Sequence, residues 1–449
     1  MSLIGRPFSH SFANGSAGWT RVAWDQGLLD AAVADGSLAL TWTAAAQAIA
    51  IPYYLWATNG LTAPAMDGVN KCSRWEFADV RGSVVHVRAL GKGMGNSVAI
   101  MADDRTLYLY DYGRGQAPKA ILPGSTTLNL SRPLTLAVTT HEDLVHVSVE
   151  QDNACHHTHT ARSPPTSAAP VISYVGRGNP GKTAATPKLR AVKAHDVTNV
   201  VNFVVVSDAA TAGRWPLVMQ YMVAQAAAGQ LGQTVVTPVM LPPPATPGAQ
   251  FEALRALRLQ EDYFFPYATN VVLVLLATGI GVDLVDAAGA IESLREAATT
   301  WKNQGFKVWL LAPPPVDDQP GPVNDALYDY GQALRTTTFA HQVLDLFALF
   351  SDPKVTPKVY KPGFYDSVAR ARTPTADAHI ATAVLGYAPQ VGAPVAAPGM
   401  GNVQTNAVNI TTMSGGSWSI DVDPITEELV FARDGTTACR LSNILEALS

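Results

Sequence analysis

Apolar and polar positions alternate with a period of two through much of the first third of the chain. The runs include SVVHVRAL (83–90), TLYLYDY (106–112), LTLAVTT (134–140) and DLVHVSVE (143–150). In the last of these, Val145, Val147 and Val149 share one face while His146, Ser148 and Glu150 share the other. That is the pattern of a strand with one side on a core and one side in water. Turn clusters such as GKGMGN and MADDRT separate the runs, and no helical period interrupts them. Many short strands of this kind predict a β-sandwich, a jelly roll, over residues 1–162. Residues 163–196, rich in Pro, Gly, Ser and Ala (SPPTSAAP, GRGNPGKTAATPK), read as a linker.

The period changes near Asn199. Runs that are apolar on both sides (VVNFVVV, TVVTPVML, NVVLVLLA, KVWLLAPPP) alternate with amphipathic stretches: WPLVMQYMVAQAAAGQ, AQFEALRALRLQ, AAGAIESLREAATTWKNQ, VNDALYDYGQALRTTTFA and TADAHIATAVLG. Strands buried on both faces and separated by helices predict a parallel sheet between two helical layers, a three-layer α/β domain over residues 197–390. After APQVGAPVAAPGMGN the chain returns to short strand-like pieces, AVNITTM, SWSIDVD and ELVFARD. This small C-terminal β region, residues 391–449, has too little core to stand alone and is expected to attach to another domain or another chain. The fold class expected is therefore α/β and all-β multidomain.

Composition narrows the function. Of 449 residues, 47% are hydrophobic and 15% charged, a globular composition. Thirty-one Lys and Arg against 36 Asp and Glu give a net charge of −5 with no basic stripe, which argues against nucleic acid as a partner. Cys72, Cys155 and Cys439 are too few and too far apart for a disulfide framework. The N-terminus lacks a basic segment followed by an apolar run, so no signal peptide is expected. The longest apolar run, Asn270 to Gly279, is about half a bilayer span, so no membrane insertion is expected.

The stretch VVVSDAATAG (204–213) raises the question of chemistry, because it has the form of a hydrolase entrance without a nucleophile. Together with ATGIGVDLV, KVWLLAPPP and the Thr373-Pro-Thr-Ala376 corner, it resembles the SGNH or GDSL hydrolase family across residues 197–388. The resemblance implies a serine that attacks an acyl carbon, a histidine base, an aspartate that orients it, and a Gly and an Asn that help hold the oxyanion. Aligned to that pattern, Asp208, Thr211 and Gly213 match and Ser207 falls on a glycine. Ala209 stands at the nucleophile, Val282 or Gly281 at the oxyanion Asn before Asp283, Arg370 at the aspartate and Thr373 at the histidine. A methyl group cannot attack, threonine is no base near neutral pH, and arginine stays protonated. The domain is accordingly expected to be catalytically silent, with no cofactor. The fallback constellation is Ser207 as nucleophile, His379 or His341 as base and Asp366 as orienter.

Two further motifs carry little. Gly176-Arg-Gly-Asn-Pro-Gly-Lys182-Thr183 fits the letters of a phosphate loop, yet Pro187 follows where a helix should open, so a Gly/Pro linker is the expectation. Cys155-His-His-Thr-His159 holds ligand-type side chains without a second pair, so no metal is expected and a solvated strand end or loop is. Trp42, Tyr53, Tyr54 and Trp56 are candidates for stacking on sugar, set against the commoner role of sandwich aromatics in the core.

The sandwich resembles concanavalin-like lectins in strand rhythm, and the plan as a whole resembles bacteriophage virion appendage or decoration proteins. That implies a virion structural or receptor-facing protein whose partners are other virion proteins and host-surface glycans, in a homo-oligomer. The alternatives are a working carbohydrate esterase or deacetylase with rearranged residues, and a plain glycan-binding module.

Overall fold

Period-two valine-rich runs form strands because β-branched side chains pack well on a pleated, half-buried surface. The computed structural model shows where they go. It describes residues 8–48, 58–63, 66–89, 98–111, 119–122, 128–152, 154–163, 171–178, 183–207, 218, 222, 233–241, 249–276, 287–316, 321–351, 358–369, 371–386, 408–411, 417–422, 429–433 and 436–440.

The N-terminal strands are β1 (Phe8–Ser11), β2 (Thr20–Arg21), β3 (Leu29–Ala34), β4 (Ser37–Trp42), β5 (Leu61–Thr62), β6 (Lys71–Asp79), β7 (Ser83–Ala89) and β8 (Val98–Ala102). They continue as β9 (Leu107–Asp111), β10 (Lys119–Leu122), β11 (Leu134–His141), β12 (Leu144–Gln151), β13 (Ala154–Arg162), β14 (Ile172–Arg177) and β15 (Lys188–Asp196). One sheet runs β13-β12-β11-β6-β15-β4-β3, with β1 added on β15, and the other runs β10-β9-β8-β7-β14-β5-β2. Trp75, Phe77, Leu136, Val138 and Val147 of the first meet Val85, Ile100 and Leu109 of the second in one core. Arg88 ties the sheets at one end. It sits at a register shift between β7 and β14 with φ 56°, 1% exposed, and donates to the Ser163 carbonyl (2.7 Å) and the Leu144 carbonyl (3.1 Å) of the facing sheet.

The expected linker is corrected here. Residues 163–196 supply β14, which sits between β7 and β5, and β15, which lies between β6 and β4. Three residues then separate β15 from the first strand of the next sheet.

That sheet is parallel, as predicted: β16 (Val200–Ser207), β17 (Gln233–Met240), β18 (Thr269–Leu275), β19 (Lys307–Ala312) and β20 (Gln342–Asp345), in the order β17-β16-β18-β19-β20. Besides α1 (Ala44–Ala48) in the sandwich, the helices are α2 (Ala249–Ala256), α3 (Gln260–Tyr263), α4 (Ala287–Asn303), α5 (Pro322–Arg335), α6 (Leu346–Phe350) and α7 (Pro374–Gly386). Two clusters flank the sheet: Phe203, Leu273 and Trp309 with Ile380 and Val384 on one face, and Val204, Val272 and Leu310 with Leu294, Trp301 and Leu327 on the other. Of the helix expected over 215–230, the described Val218 and Met222 are helical and buried.

The face of β12 expected to be wet is covered. His146 and Ser148 are each 3% exposed, because the outer surface of the first sheet packs on β17, the edge strand of the parallel sheet. Thr160 beside His146 accepts or donates to its Nδ1 at 2.8 Å and hydrogen-bonds the Thr237 hydroxyl of β17. Cys72, Leu144, Val197, Val200, Val235 and Phe265 close the seam with apolar contact. A buried asparagine pair shapes the loop that reaches it. Asn202 donates to the Tyr263 carbonyl (2.7 Å) and to Asn270 Oδ1 (3.0 Å), and Asn270 grips both Phe265 N and its carbonyl at 3.1 and 2.7 Å. Arg162 completes the seam by donating to the Phe264 carbonyl, pairing with Asp143 at 3.2 Å and lying 5.4 Å over the Phe265 ring. Pro238 in β17 is compatible with an edge position, since no ladder partner is lost there.

Burial holds His146 neutral, with its pKa near 3, and the nearby His159 and His157 push the same way; burial alone does the same to His86. Both titrate near 6.5 once unfolded. The unfolded chain therefore binds more protons between pH 6.5 and 3, so stability is full above that window and falls as pH drops through it. We expect urea denaturation to show a decline of up to about 1.4 kcal/mol per pH unit for each histidine, with a shallower slope in His146→Gln.

Candidate functional site

In an open parallel sheet the order β17-β16-β18-β19-β20 reverses direction between β16 and β18, and ligands in such sheets bind outside the carboxyl ends at that point. Ser207 ends β16 there, in register with Met240 of β17 and Leu275 of β18. It is 2% exposed, and its carbonyl accepts from Leu241 N at 2.9 Å. The segments that follow β16 and β18 in the chain contain Asp208, Ala209, Thr211 and Gly213, and Gly281, Val282 and Asp283. They lie outside the described residues, as does Arg370.

Thr373, at the position matched to a catalytic histidine, is described in full. It is the N-cap of α7: its hydroxyl accepts from Ala376 N at 3.3 Å and donates to the Gly363 carbonyl at 2.8 Å, while its own carbonyl accepts from Asp377 N. Pro374 follows at the first helical position, where a missing N–H costs nothing. Next to the cap, Arg372 Nε pairs with Asp377 at 2.9 Å, the side chains 7% and 1% exposed. The corner before α7 is held by a hydroxyl cap and a buried ion pair.

Two of the fallback residues carry hydrogen bonds of their own. The Asp366 carboxylate accepts from Val368 N (2.9 Å) and Ala369 N (3.0 Å) in the turn between β21 (Tyr365–Asp366) and β22 (Ala371–Arg372). His341 Nδ1 accepts from Val308 N at 2.9 Å. His379 packs edge-on to Phe364 (5.2 Å) and lines an open groove of about 370 Å³ with Pro374, Thr375, Ala378 and Thr382.

In the sandwich, Trp42 is a core residue, 3% exposed, with its indole N–H donated to the Gly178 carbonyl at 3.1 Å; this corrects its place among the sugar-stacking candidates. Tyr53, Tyr54 and Trp56 lie outside the described residues. The Cys155–His159 segment, expected as a solvated end or loop, is part of β13, with Cys155 and Thr158 buried against the sheet and its neighbours. Burial drives the Cys155 thiol up to about 12 and the Cys72 thiol to about 11. Among the described residues no three His, Cys, Asp or Glu side chains gather as metal ligands. Residues 176–178 end β14, and the chain re-enters a strand at Lys188, so no helix follows the phosphate-loop letters.

A surface not singled out in the sequence emerges from the register of the second sheet. Tyr110, Ala99, His86 and Tyr174 lie side by side across β9, β8, β7 and β14. His86 stacks on Tyr174 at 4.5 Å, and Trp24 meets Tyr174 edge-on at 6.1 Å. That end is buried, but Tyr108 and Tyr110 are half-buried, their rings 6.4 Å apart, on the face opposite the buried Leu107 and Leu109. The signal was the alternation in TLYLYDY, which places two tyrosines on one side.

No protein-family model matches the chain, and no curated protein does. Solved structures resemble part of it. The carbohydrate binding module CBM66 from Bacillus subtilis aligns over 40% of this chain and 98% of its own, at 12% identity and a TM-score of 0.28. Domain 4 of AbnA, a GH43 extracellular arabinanase from Geobacillus stearothermophilus in complex with arabinotriose, aligns over 42% and 90%, at 10% identity and 0.26. The exoplasmic/lumenal domain of VIP36 in its Ca2+/Man3GlcNAc-bound form aligns over 42% and 88%, at 9% identity and 0.27. The two-sheet assignment rests on the strand pairing itself.

The cap and the ion pair make Thr373 and Arg372 structural. Thr373→Ala should cost about 1 kcal/mol as a lost N-cap, and Arg372→Ala more than that, because it removes the guanidinium paired with the buried Asp377 carboxylate. Chemical denaturation of both variants, read by circular dichroism, checks the order.

Proposed function

We propose that this protein recognises carbohydrate through its N-terminal sandwich, and that its α/β domain is a catalytically silent relative of the SGNH hydrolases serving as an interaction scaffold. The observation that carries the silent half is Thr373. The residue at the base position accepts the Ala376 amide and donates to a carbonyl, so it orders a helix and offers no proton acceptor to a serine. Asp366, the fallback orienter, is held by two backbone amides of its own turn. The 2-1-3-4-5 strand order supports the choice of domain type, as does the position of Ser207 at its switch point, the place outside which ligands bind in such sheets.

For the sandwich, Tyr108 and Tyr110 supply what sugar recognition uses: two half-exposed rings on a sheet face, each with an apolar body and a polar tip. A silent scaffold beside a glycan-facing module suits a virion appendage or decoration protein that meets host glycans and other virion proteins. An active carbohydrate esterase or deacetylase with rearranged catalytic residues is the competing reading.

Two measurements test it. A fluorophosphonate probe should leave no covalent adduct by intact mass, and p-nitrophenyl acetate turnover should be the same in wild type and Ser207→Ala; an adduct, or turnover lost in that variant, overturns the silent domain. On a glycan array the wild type should retain a sugar that Tyr108→Ala/Tyr110→Ala binds at least about tenfold more weakly, 1.4 kcal/mol. An array with no retained sugar overturns the carbohydrate reading.

A further inference from the structure

The chain folds as two compact units, Met1–Gly392 and Ala393–Ser449. The described residues of the second form an antiparallel sheet of four strands, and the seam between the sandwich and the parallel sheet lies inside the first. One row of residues crosses the outer face of the first sandwich sheet at this seam: Thr160 on β13, His146 on β12, Thr139 on β11, Cys72 on β6 and His195 on β15. His146 is enclosed within it. Its Nδ1 hydrogen-bonds Thr160 Oγ1 at 2.8 Å, and that hydroxyl in turn hydrogen-bonds Thr237 of β17. Its Nε2 is buried without a hydrogen-bond partner among the described residues. An imidazole so placed is a link in the seam while neutral and a misfit once charged, because a buried cation needs a paired anion or water.

The groups around His146 supply no such anion. Burial opposes its protonation, and so do His159 and His157 of β13. The strands β16 and β17 carry no titratable side chain. Cys72 holds a thiol that burial keeps protonated, and the Asp143 carboxylate, in the turn between β11 and β12, is paired with Arg162. Helix α3, which packs on β13, brings the exposed Asp262 and Tyr263, whose phenol burial keeps protonated. At the margins, burial also holds His141 and His195 below the ordinary imidazole range, and His141 hydrogen-bonds the Thr198 backbone in the connector to β16. Asp143 works the other way: burial raises its carboxyl, so its protonation favours the closed seam.

We propose that the seam is an acid-sensitive latch: protonation of His146 parts the outer face of the sandwich from β17 while the cores of both domains stay folded. The extent of the seam supports a local parting. Its apolar cluster is six buried residues, separate from the sandwich core and from the two clusters that flank the parallel sheet. Opening it brings water to His146 at the expense of that small cluster, whereas unfolding either domain gives up a much larger one. This inference is independent of the carbohydrate reading.

Cys72 reports the seam in the full chain, because its side chain belongs to that cluster and the residue is 4% exposed. Dithiodipyridine, a disulfide that reacts with thiols in acid, should label Cys72 at a rate that measures opening once scaled to an unfolded peptide of the same sequence. From about pH 6.5 to 4.5 the scaled rate should rise roughly 50-fold more in the wild type than in His146→Gln. Over the same range the amides of Leu136 and Val147 in the sandwich, and of Val204 and Leu273 in the parallel sheet, should keep their protection from hydrogen exchange. A wild-type rate that stays flat, a rise equally steep in His146→Gln, or core amides that lose protection together with Cys72 would each overturn the latch.

Discussion

The seam between the sandwich and the parallel sheet is the interaction on which the rest of the larger unit depends. An exposed strand edge invites pairing with other chains, and β17 would be such an edge. It is covered by the outer face of a sandwich sheet whose residues at that point are polar: His146, Ser148, Thr158 and Thr160. Burying such groups is tolerable only when they are bonded, and each net hydrogen bond contributes about 0.5–1.5 kcal/mol while an orphaned polar group costs about 1–3. The Thr160–Thr237 contact, the Arg162 guanidinium on the Phe264 carbonyl and the Asn202–Asn270 pair meet that requirement in part, while Thr158 Oγ1, His146 Nε2 and Asn202 Oδ1 are buried without a hydrogen-bond partner among the described residues. Geometry of this kind fixes orientation more sharply than apolar contact alone. With three residues between β15 and β16, it makes one body of two folds.

At the corner before α7 that body builds a helix start. In a serine esterase the corner before the last helix has to hold an imidazole at a set distance from a hydroxyl. Here the same corner satisfies the helix's own first amides and buries an arginine against an aspartate. Both arrangements serve a helix start, and only one of them can move a proton. The fold and its switch point persist because the packing of Phe203, Leu273 and Trp309 against α7 does not depend on the residue at the cap.

The succession of strands and helices along the chain and the change from period two to period 3.6 were legible, since each depends on neighbours within a few residues. The motif series that aligned Thr373 with a base was legible for the same reason. Its role as a cap needed Gly363, ten residues away, and the ion pair beside it needed the turn of α7 to bring Asp377 back onto Arg372.

What local pattern alone determined is therefore the list of elements and the residue types along them: position 209 carries a methyl group and position 373 a hydroxyl wherever the fold puts them. Tertiary structure decided which polar faces meet water. The alternation of His146 and Ser148 with valine marks two faces but cannot say that the second is covered by a strand some ninety residues further on. It decided equally that the Pro- and Gly-rich segment 163–196 crosses both sheets, and that Trp42 lies in the core while Tyr108 and Tyr110 reach the surface. Side-chain periodicity is set by the backbone within one strand; burial is set by whichever distant segment packs on it.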